Sequence, residues 1–222
     1  MNVAELWRYP VKSAGGERLT TAVLGAHGIA GDRALAVRDE DGEITWAGET
    51  PPLMRLQAAT LPDGSVWLAT PAGGVAFSGP DRHRLLTEAA GRPVSLVDYQ
   101  PHRIEAAVHL LSTASLRSLA SALPEVSIEV TRFRPNILVD VPGDGFPEQG
   151  WIGSRVQVGA AVLRVTEGCV RCVMINQATL RSELDKRVLR WVAQNQRNVF
   201  GVYAAVETPG AVAVGDAVSL LG

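Results

Sequence analysis

The chain has 222 residues, enough for one large domain or two small, closely packed ones, and its 46% hydrophobic and 20% charged residues are ordinary for a globular protein. The 21 basic and 23 acidic residues give a net charge of −2, so nothing in the overall charge indicates nucleic acid or an anionic membrane as a partner. With no secretory signal, no membrane-length apolar run and only two cysteines, we expect a reduced, cytoplasmic compartment.

Short strands dominate the first half of the predicted chain. Residues 3–11 form a strand closed by Pro10, and Asp41-Gly42 is a hairpin signal between two further runs. A helix is predicted from Asp81 as N-cap to the residue before Gly91. The other predicted strands are 34–38, 43–46, 53–61, 66–70, 75–77 and 94–99.

The second half alternates strands with two helices. Ser112 or Thr113 is predicted to cap a helix that ends at Pro124, and a second helix is predicted over 182–194 with Leu184, Val188, Trp191 and Val192 facing inward. Residues 127–141 are expected to be extended, and a hairpin is expected around Gly159. Closing strands are predicted at 199–206 and 217–221. This pattern predicts a mainly β fold with peripheral helices (α+β), of barrel type, with any seam between two lobes near 98–106.

The two cysteines lie in C-V-R-C, where Arg171 precedes Cys172 and an alternating run leads to Cys169. A cation beside a cysteine favours the thiolate, which attacks electrophiles or binds soft metals. The opposing interpretation is a core cysteine, and we prefer it for Cys169. The four histidines are scattered and form no i, i+4 pair, so two cysteines argue against a four-ligand structural zinc site and against an iron–sulfur cluster. The residues after Cys172 look extended or looped, which argues against a thioredoxin-like motif.

R-F-R-P-N supplies possible anion ligands. With a strand period of two, Arg132, Arg134 and Asn136 share one face, which would suit a phosphate or carboxylate; ordinary surface arginines on a solvated face are the alternative. Lys12 and Ser13 follow the first strand, and Arg33 follows Asp32. Taken singly, these are better explained as turn residues and a surface ion pair.

Eight short motifs occur together in one order: Y-P-V-K-S (9–13), G-D-R (31–33), H-L-L-S-T-A-S-L (109–116), R-F-R-P-N (132–136), Glu148 to Trp151, C-V-R-C (169–172), F-G-V-Y (200–203) and V-G-D-x-V-x-L (214–220). In this order they resemble the MOSC superfamily, the domain related to the C-terminus of molybdenum-cofactor sulfurase. The resemblance implies an N-terminal β-barrel-like lobe at 1–98 packed on a MOSC-type β-barrel at 99–222.

The resemblance also implies a function. Cys172 would be the catalytic residue and the molybdenum ligand, and the pterin and its phosphate would be held by Lys12, Ser13, Arg33, Arg134, Asn136, Arg171 and Tyr203. The expected activity is reduction of N-hydroxylated compounds such as amidoximes and hydroxylamines, with electrons from a separate ferredoxin, flavoprotein or cytochrome. The alternative is a non-catalytic carrier of molybdenum cofactor, or a sulfur relay with a persulfide on Cys172. A family-level association with pyridoxal phosphate binding also accompanies the resemblance.

Two positions depart from the reductase members of the family. Those members often continue T-T-x-D-P-x-T-G after the second cysteine, whereas this chain has V-M-I-N-Q-A-T-L, with Asn176 near the position of the acid. Val170 replaces a hydroxyl residue. His109 is either a pocket residue or a core histidine, and Glu148 and Trp151 lie either on a loop over the substrate or on a plain surface loop. Trp7, Trp46, Trp67 and Trp191 are interpreted as core or lobe-interface anchors.

Overall fold

The computed structural model describes residues 1–77, 79–99 and 106–221, and strands predominate in it. The strands are β1 (Asn2–Arg8), β2 (Glu17–Leu19), β3 (Thr21–Gly25), β4 (Gly28–Ile29), β5 (Leu35–Asp39), β6 (Gln57–Thr60), β7 (Val66–Ala69), β8 (Val75–Ala76), β9 (Val94–Asp98), β10 (Val108–Ser112), β11 (Ile137–Asp140), β12 (Arg155–Val158), β13 (Ala161–Val170), β14 (Val199–Thr208), β15 (Gly210–Ala213) and β16 (Val218–Leu221). The helices are α1 (Gly79–Ala90), α2 (Thr113–Ala122), α3 (Val130–Phe133) and α4 (Arg187–Asn195), with 3-10 turns at Pro51–Arg55, Pro147–Trp151 and Val173–Asn176. The predicted mainly β fold with a few helices is therefore confirmed.

One large sheet forms the centre of the molecule. Its eight strands lie in the order β16-β12-β13-β14-β10-β11-β1-β2, and only β10 and β11 among the paired neighbours run parallel. No closed barrel is found within the described residues, because β16 and β1 are not paired as strands; an isolated bridge joins Asn2 to Ala217, and the Val218 amide donates to the Met1 carbonyl. The largest apolar cluster covers this sheet and includes Leu6, Leu110, Leu163 and Val202.

The first hundred residues add smaller sheets and a second core. β5 pairs with β9, and β6, β7 and β8 form a three-stranded sheet against which α1 packs. The apolar cluster there includes Leu53, Leu68 and Leu86. β1 and β2 belong to the large sheet instead, and β3 pairs with β15. The division into lobes at 1–98 and 99–222 stays a prediction. Its seam overlaps residues 100–105, which include His102 and lie outside the described residues.

Several local predictions are confirmed. Ser112 caps α2, since its side chain accepts a hydrogen bond from the Ser115 amide at 3.0 Å. Gly159 joins β12 to β13 with a positive φ of 54°, and Gly91 follows α1 with a φ of 69°. Asp81, however, lies in the first turn of α1 and is not its cap, because the helix begins two residues earlier.

The prediction that residues 127–141 are extended is wrong. Val130–Phe133 is a helical turn, Arg134 follows in the left-handed conformation with a φ of 56°, and the strand begins only at Ile137. Phe133 is buried in the apolar cluster that α2, α3 and α4 share, so packing there outweighs the alternating pattern. Arg132, Arg134 and Asn136 therefore do not share one strand face.

The predicted helix at 182–194 begins later, at Arg187, and Leu184 is 54% exposed. Asn176 explains the late start, because its carbonyl accepts the Asp185 amide at 2.8 Å and fixes a turn before the helix. Val188 and Val192 are buried as predicted. No helix in the described residues is long and apolar enough to cross a membrane.

Candidate functional site

A cavity of about 400 Å³ lies where the turn after β1, the end of β13 and α3 meet. Seven of the eight residues predicted for the site line it: Lys12, Ser13, Arg33, Arg134, Arg171, Cys172 and Tyr203. The additional lining is largely apolar or aromatic, from Trp46, Tyr99, Phe133, Val170, Met174 and Ile175. None of the described residues that line this cavity is an aspartate or a glutamate, so its charged wall is cationic.

The two thiols have different environments. Cys172 is exposed and adopts an extended conformation immediately before the turn Val173–Asn176, whereas Cys169 is 2% exposed in the last part of β13. The phenol of Tyr203 lies beside Cys169; burial and this thiol raise the pKa of Tyr203 to about 12. Cys172 is thus the thiol available to a ligand in the cavity, and Cys169 is a core residue.

Two arginines and a tyrosine form a buried cationic wall. The guanidinium carbon of Arg134 lies 4.2 Å from the centre of the Tyr9 ring, and that of Arg33 lies 5.4 Å from it. Arg33 pairs with Asp32, but Nη1 of Arg134 is buried with no hydrogen-bond partner in the described structure. Burial, followed by the charge of Arg33, lowers the pKa of Arg134 to about 10. An anion beside Arg134 would accept a hydrogen bond from the unpaired N–H and would stabilise the buried positive charge.

The turn after β1 contributes Lys12 and Ser13 through an unusual backbone. Ser13 has a positive φ of 68°, is 3% exposed, and accepts the Ala47 amide at 3.1 Å through Oγ. Nζ of Lys12 lies 5.0 Å from the centre of the Tyr99 ring. A strained residue that anchors a turn at a cavity is typical of a binding site.

Arg171 lines the cavity but also holds the core together. Its Nε donates to the Phe200 carbonyl at 2.7 Å and its Nη1 to the Phe133 carbonyl at 3.0 Å. Nη2 donates to Nε2 of His109 at 2.7 Å. Because an arginine N–H can only donate, Nε2 of His109 must accept, and the proton lies on Nδ1, which donates to the Arg134 carbonyl at 3.2 Å.

His109 is therefore a buried, neutral histidine that connects two of the arginines. Burial, followed by the charge of Arg171, holds the pKa of His109 well below its ordinary value. Gly201 makes space for the ring, since a Cβ at this residue would lie 2.5 Å from Nε2. The two interpretations made from the sequence, a core histidine and a pocket residue, both describe His109, because it is buried and also lines the cavity.

Asn136 lies behind the cavity wall. Its Oδ1 accepts from the His109 amide at 3.1 Å and from Nη1 of Arg33 at 3.4 Å, and its Nδ2 donates to the Trp7 carbonyl at 3.3 Å. The side chain thereby joins β1, β10 and the residue that precedes β11. Its role in the described structure is to fix Arg33 and the strands around it.

Sequence reasoning missed the role of Arg132. Its side chain is 1% exposed and donates to the carbonyls of Ile175 at 2.8 Å, Gln177 at 3.2 Å and Glu183 at 2.8 Å. These carbonyls belong to the segment that follows Cys172. No pattern local to R-F-R-P-N could reveal this contact, because its partners lie 43 to 51 residues away.

Glu148, Trp151 and Asn176 are also structural. Glu148 is fully buried and accepts from Oγ of Ser112 at 2.5 Å and from Oγ of Ser115 at 2.6 Å, so both surface-loop interpretations are wrong. Trp151 is in the central core. Oδ1 of Asn176 accepts the Leu189 amide at 2.9 Å, which ties it to α4 and away from the cavity.

Comparison with known families agrees with the geometry. The model of the MOSC domain matches residues 63–219, and the model of the MOSC N-terminal beta barrel domain matches residues 1–115. The chain belongs to the MOSC family. As a MOSC protein it is 26% identical to human mitochondrial amidoxime-reducing component 1 over 99% of this chain and 83% of that protein.

Two further comparisons extend this result. Mouse mitochondrial amidoxime-reducing component 1 is 27% identical over 99% of this MOSC chain and 82% of its own length. The crystal structure of the YUAD protein from Bacillus subtilis matches with a TM-score of 0.54 and 15% identity, over 98% of this chain and 93% of that one. The structural match supports the fold, and the sequence matches support a relationship to amidoxime-reducing proteins.

Proposed function

We propose that this MOSC protein binds molybdenum cofactor and reduces N-hydroxylated compounds of the amidoxime or hydroxylamine type. The observation that carries the proposal is the exposed thiol of Cys172 at a cavity with a cationic wall and, among the described residues, no lining carboxylate. A soft thiolate suits molybdenum, and a cationic wall suits a phosphate-bearing pterin. The names of the mammalian relatives support reduction as the reaction type.

The residues fit such a cofactor in two respects. Arg134 offers a buried N–H that has no partner among the described residues, and an anionic group would accept a hydrogen bond from it. In the described residues, no group of three or more His, Cys, Asp or Glu side chains could hold a metal ion. Cys172 would thus act as one ligand beside sulfurs that the cofactor brings itself.

Each part of the site then has a task. Cys172 would ligate the metal, while Lys12, Ser13, Arg33 and Arg134 would hold the phosphate and the pterin. When bound, the cofactor supplies two-electron reduction, in which an N-hydroxyl group, two electrons and two protons give the N–H product and water. The electrons would come from an external ferredoxin, flavoprotein or cytochrome. The cytoplasmic compartment and the two-lobe division at residue 98 are part of the same proposal.

A second candidate is a carrier of the cofactor, or a sulfur relay through a persulfide on Cys172. One observation favours it: Asn176, which stands near the acid of the reductase pattern, is used to cap α4. A carrier would bind the pterin but show no turnover with any reductant.

The test is the molybdenum and pterin content of the protein expressed with cofactor biosynthesis intact. We expect about one molybdenum per chain, lost in Cys172→Ala and kept in the matched variant Cys169→Ala. Turnover of benzamidoxime with reduced methyl viologen then separates a reductase from a carrier. Wild-type protein with neither pterin nor molybdenum would refute both the reductase and the cofactor carrier, and a persulfide on Cys172, detected by mass spectrometry, would then identify a sulfur relay.

A further inference from the structure

Three exposed cations form a stripe beside the site, which we call the basic rim: Lys186, Arg190 and Arg197. The spacing of four residues places Lys186 and Arg190 on one side of α4, and Arg197 lies just after the C-terminal end of the helix. Within the described chain none of the three makes an ion pair, whereas the neighbouring Arg187 bonds to Asp185 and Glu125. The charges of the basic rim are therefore available to a partner.

The basic rim is physically joined to the segment that carries Cys172. The Arg171 amide donates to the Asn198 carbonyl at 2.8 Å, and Nδ2 of Asn198 donates back to the Arg171 carbonyl at 2.6 Å. Arg197 and Cys172 are thus each one residue away from this pair. At the other end, Asn176 accepts the amides of Asp185 and Leu189, so α4 begins against the turn after Cys172, and the residues after its end contact Arg171.

The positions of Lys186 and Arg190 are electrostatically unfavourable for α4 when no partner is bound. Lys186 is the N-cap residue of α4, where the helix dipole disfavours a cation, and Arg190 is a like charge four residues further on. Arg197 and Asn198 have positive φ, 52° and 64°, where the chain leaves α4, and the Asn198 amide donates to the Val192 carbonyl at 3.2 Å. The stability of α4 therefore gives no reason for the positions of Lys186 and Arg190.

Charge and exposed apolar surface complete the pattern. Residues 171–198 contain six basic and two acidic side chains, a net +4, whereas the whole chain has a net charge of −2 and the remainder therefore −6. Val170 and Val173, which flank Arg171 and Cys172 in the sequence, are 68% and 38% exposed. Apolar residues near the reactive thiol with cations around them resemble the centre and rim of a protein–protein interface.

We propose that the basic rim, with Val170 and Val173, is the docking surface for an acidic electron-transfer protein. This inference rests on the proposed reductase function, since it names the surface through which electrons reach the site. Complementary charge would steer an acidic donor to the face that contains Cys172 and would repel a basic one.

The test uses the cofactor-loaded protein and an acidic [2Fe–2S] ferredoxin as donor. Lys186→Glu/Arg190→Glu reverses two charges of the basic rim. The matched control Arg38→Glu/Arg84→Glu reverses two exposed cations on β5 and α1 and changes the net charge equally. We expect the rim variant to raise the apparent KM for ferredoxin at low salt about tenfold and to leave turnover with reduced methyl viologen unchanged. The control variant should leave both values unchanged.

Ferredoxin binding is measured separately, by titration without substrate, so that it is independent of catalysis. Weaker binding in the rim variant and at high salt, with the control unaffected, supports docking even if the protein proves to be a carrier. Equal binding by the rim variant and the wild type, or no ferredoxin binding at all, overturns the inference. Binding of the basic rim to phosphatidylserine vesicles but not to ferredoxin overturns it as well, because a membrane would then be the partner.

Discussion

Arg132→Met removes a buried cation that lines the cavity and holds the segment after Cys172 in place by hydrogen bonds. The substitution keeps an unbranched apolar stem of similar length and deletes the donors to three carbonyls. Two of these carbonyls belong to Ile175 and Gln177, which are 2% and 6% exposed. We therefore expect Arg132→Met to lower the free energy of unfolding and to loosen the segment that positions Cys172.

The magnitude follows from these contacts. A buried carbonyl left without a partner costs about 1–3 kcal/mol, and two are affected. Part of this free-energy cost is offset. The substitution removes Nε of Arg132, which has no partner in the described part of the chain, and removes the desolvation cost of a buried guanidinium. The net loss in the free energy of unfolding should be about 3 kcal/mol, or about 6–12 °C in melting temperature for a chain of this length. Arg132→Lys, which retains the charge, should lose about half as much.

Urea unfolding followed by tryptophan fluorescence gives the free energies, and hydrogen exchange gives the local effect. Amides of residues 173–186 should lose protection in Arg132→Met, while those of β6 and β7, in the other core, should not. Molybdenum retention should fall with the loss of protection. An Arg132→Met protein within 0.5 kcal/mol of wild type, with unchanged exchange at 173–186, would refute the reasoning.

Three further predictions concern the network around the cavity. Because burial keeps His109 neutral in the folded state, wild type should lose up to about 1.4 kcal/mol of unfolding free energy per pH unit below about 6.5, and His109→Gln should lose less; parallel pH slopes in urea unfolding would contradict this. Gly201→Ala should destabilise the protein by about 3 kcal/mol, through the clash with His109, whereas Gly42→Ala, also at positive φ but with open space, should cost about 1 kcal/mol in the same assay. Since burial raises the pKa of Tyr203 to about 12 and that of Tyr9 further, the native protein at pH 11 should show at most one of three tyrosines ionised by absorbance at 295 nm, and all three in urea.

Features that depend on neighbours in sequence were predicted well. The Ser112 cap, the hairpin at Gly159 and the glycine after α1 each require only a local pattern, and the described structure contains all three. The order of short motifs also selected seven residues that line one cavity. The order of motifs identifies residues that are distant in the sequence, because the motifs are spread over the whole chain. Periodicity describes only the segment in which it is found.

Contacts between distant segments were not predictable in this way. The alternation of R-F-R-P-N indicated a strand, but Phe133 packs with Phe200 at a ring distance of 4.5 Å and the segment turns as a helix. Glu148 looked like a surface residue because its partners, Ser112 and Ser115, lie more than thirty residues earlier. A buried carboxylate that accepts from two hydroxyls leaves no periodic signal in the sequence.

The hydrogen-bonded pair of Arg171 and Asn198 also affects how this protein can vary in length. Because the two ends of the segment 171–198 are fixed to each other, residues inserted in the exposed turn at Leu180 and Arg181 need not displace either end. Doubling the length of a flexible loop with fixed ends costs only about 0.6 kcal/mol in closure entropy. The surface beside Cys172 can therefore gain or lose residues in homologous chains while the cysteine itself stays in place.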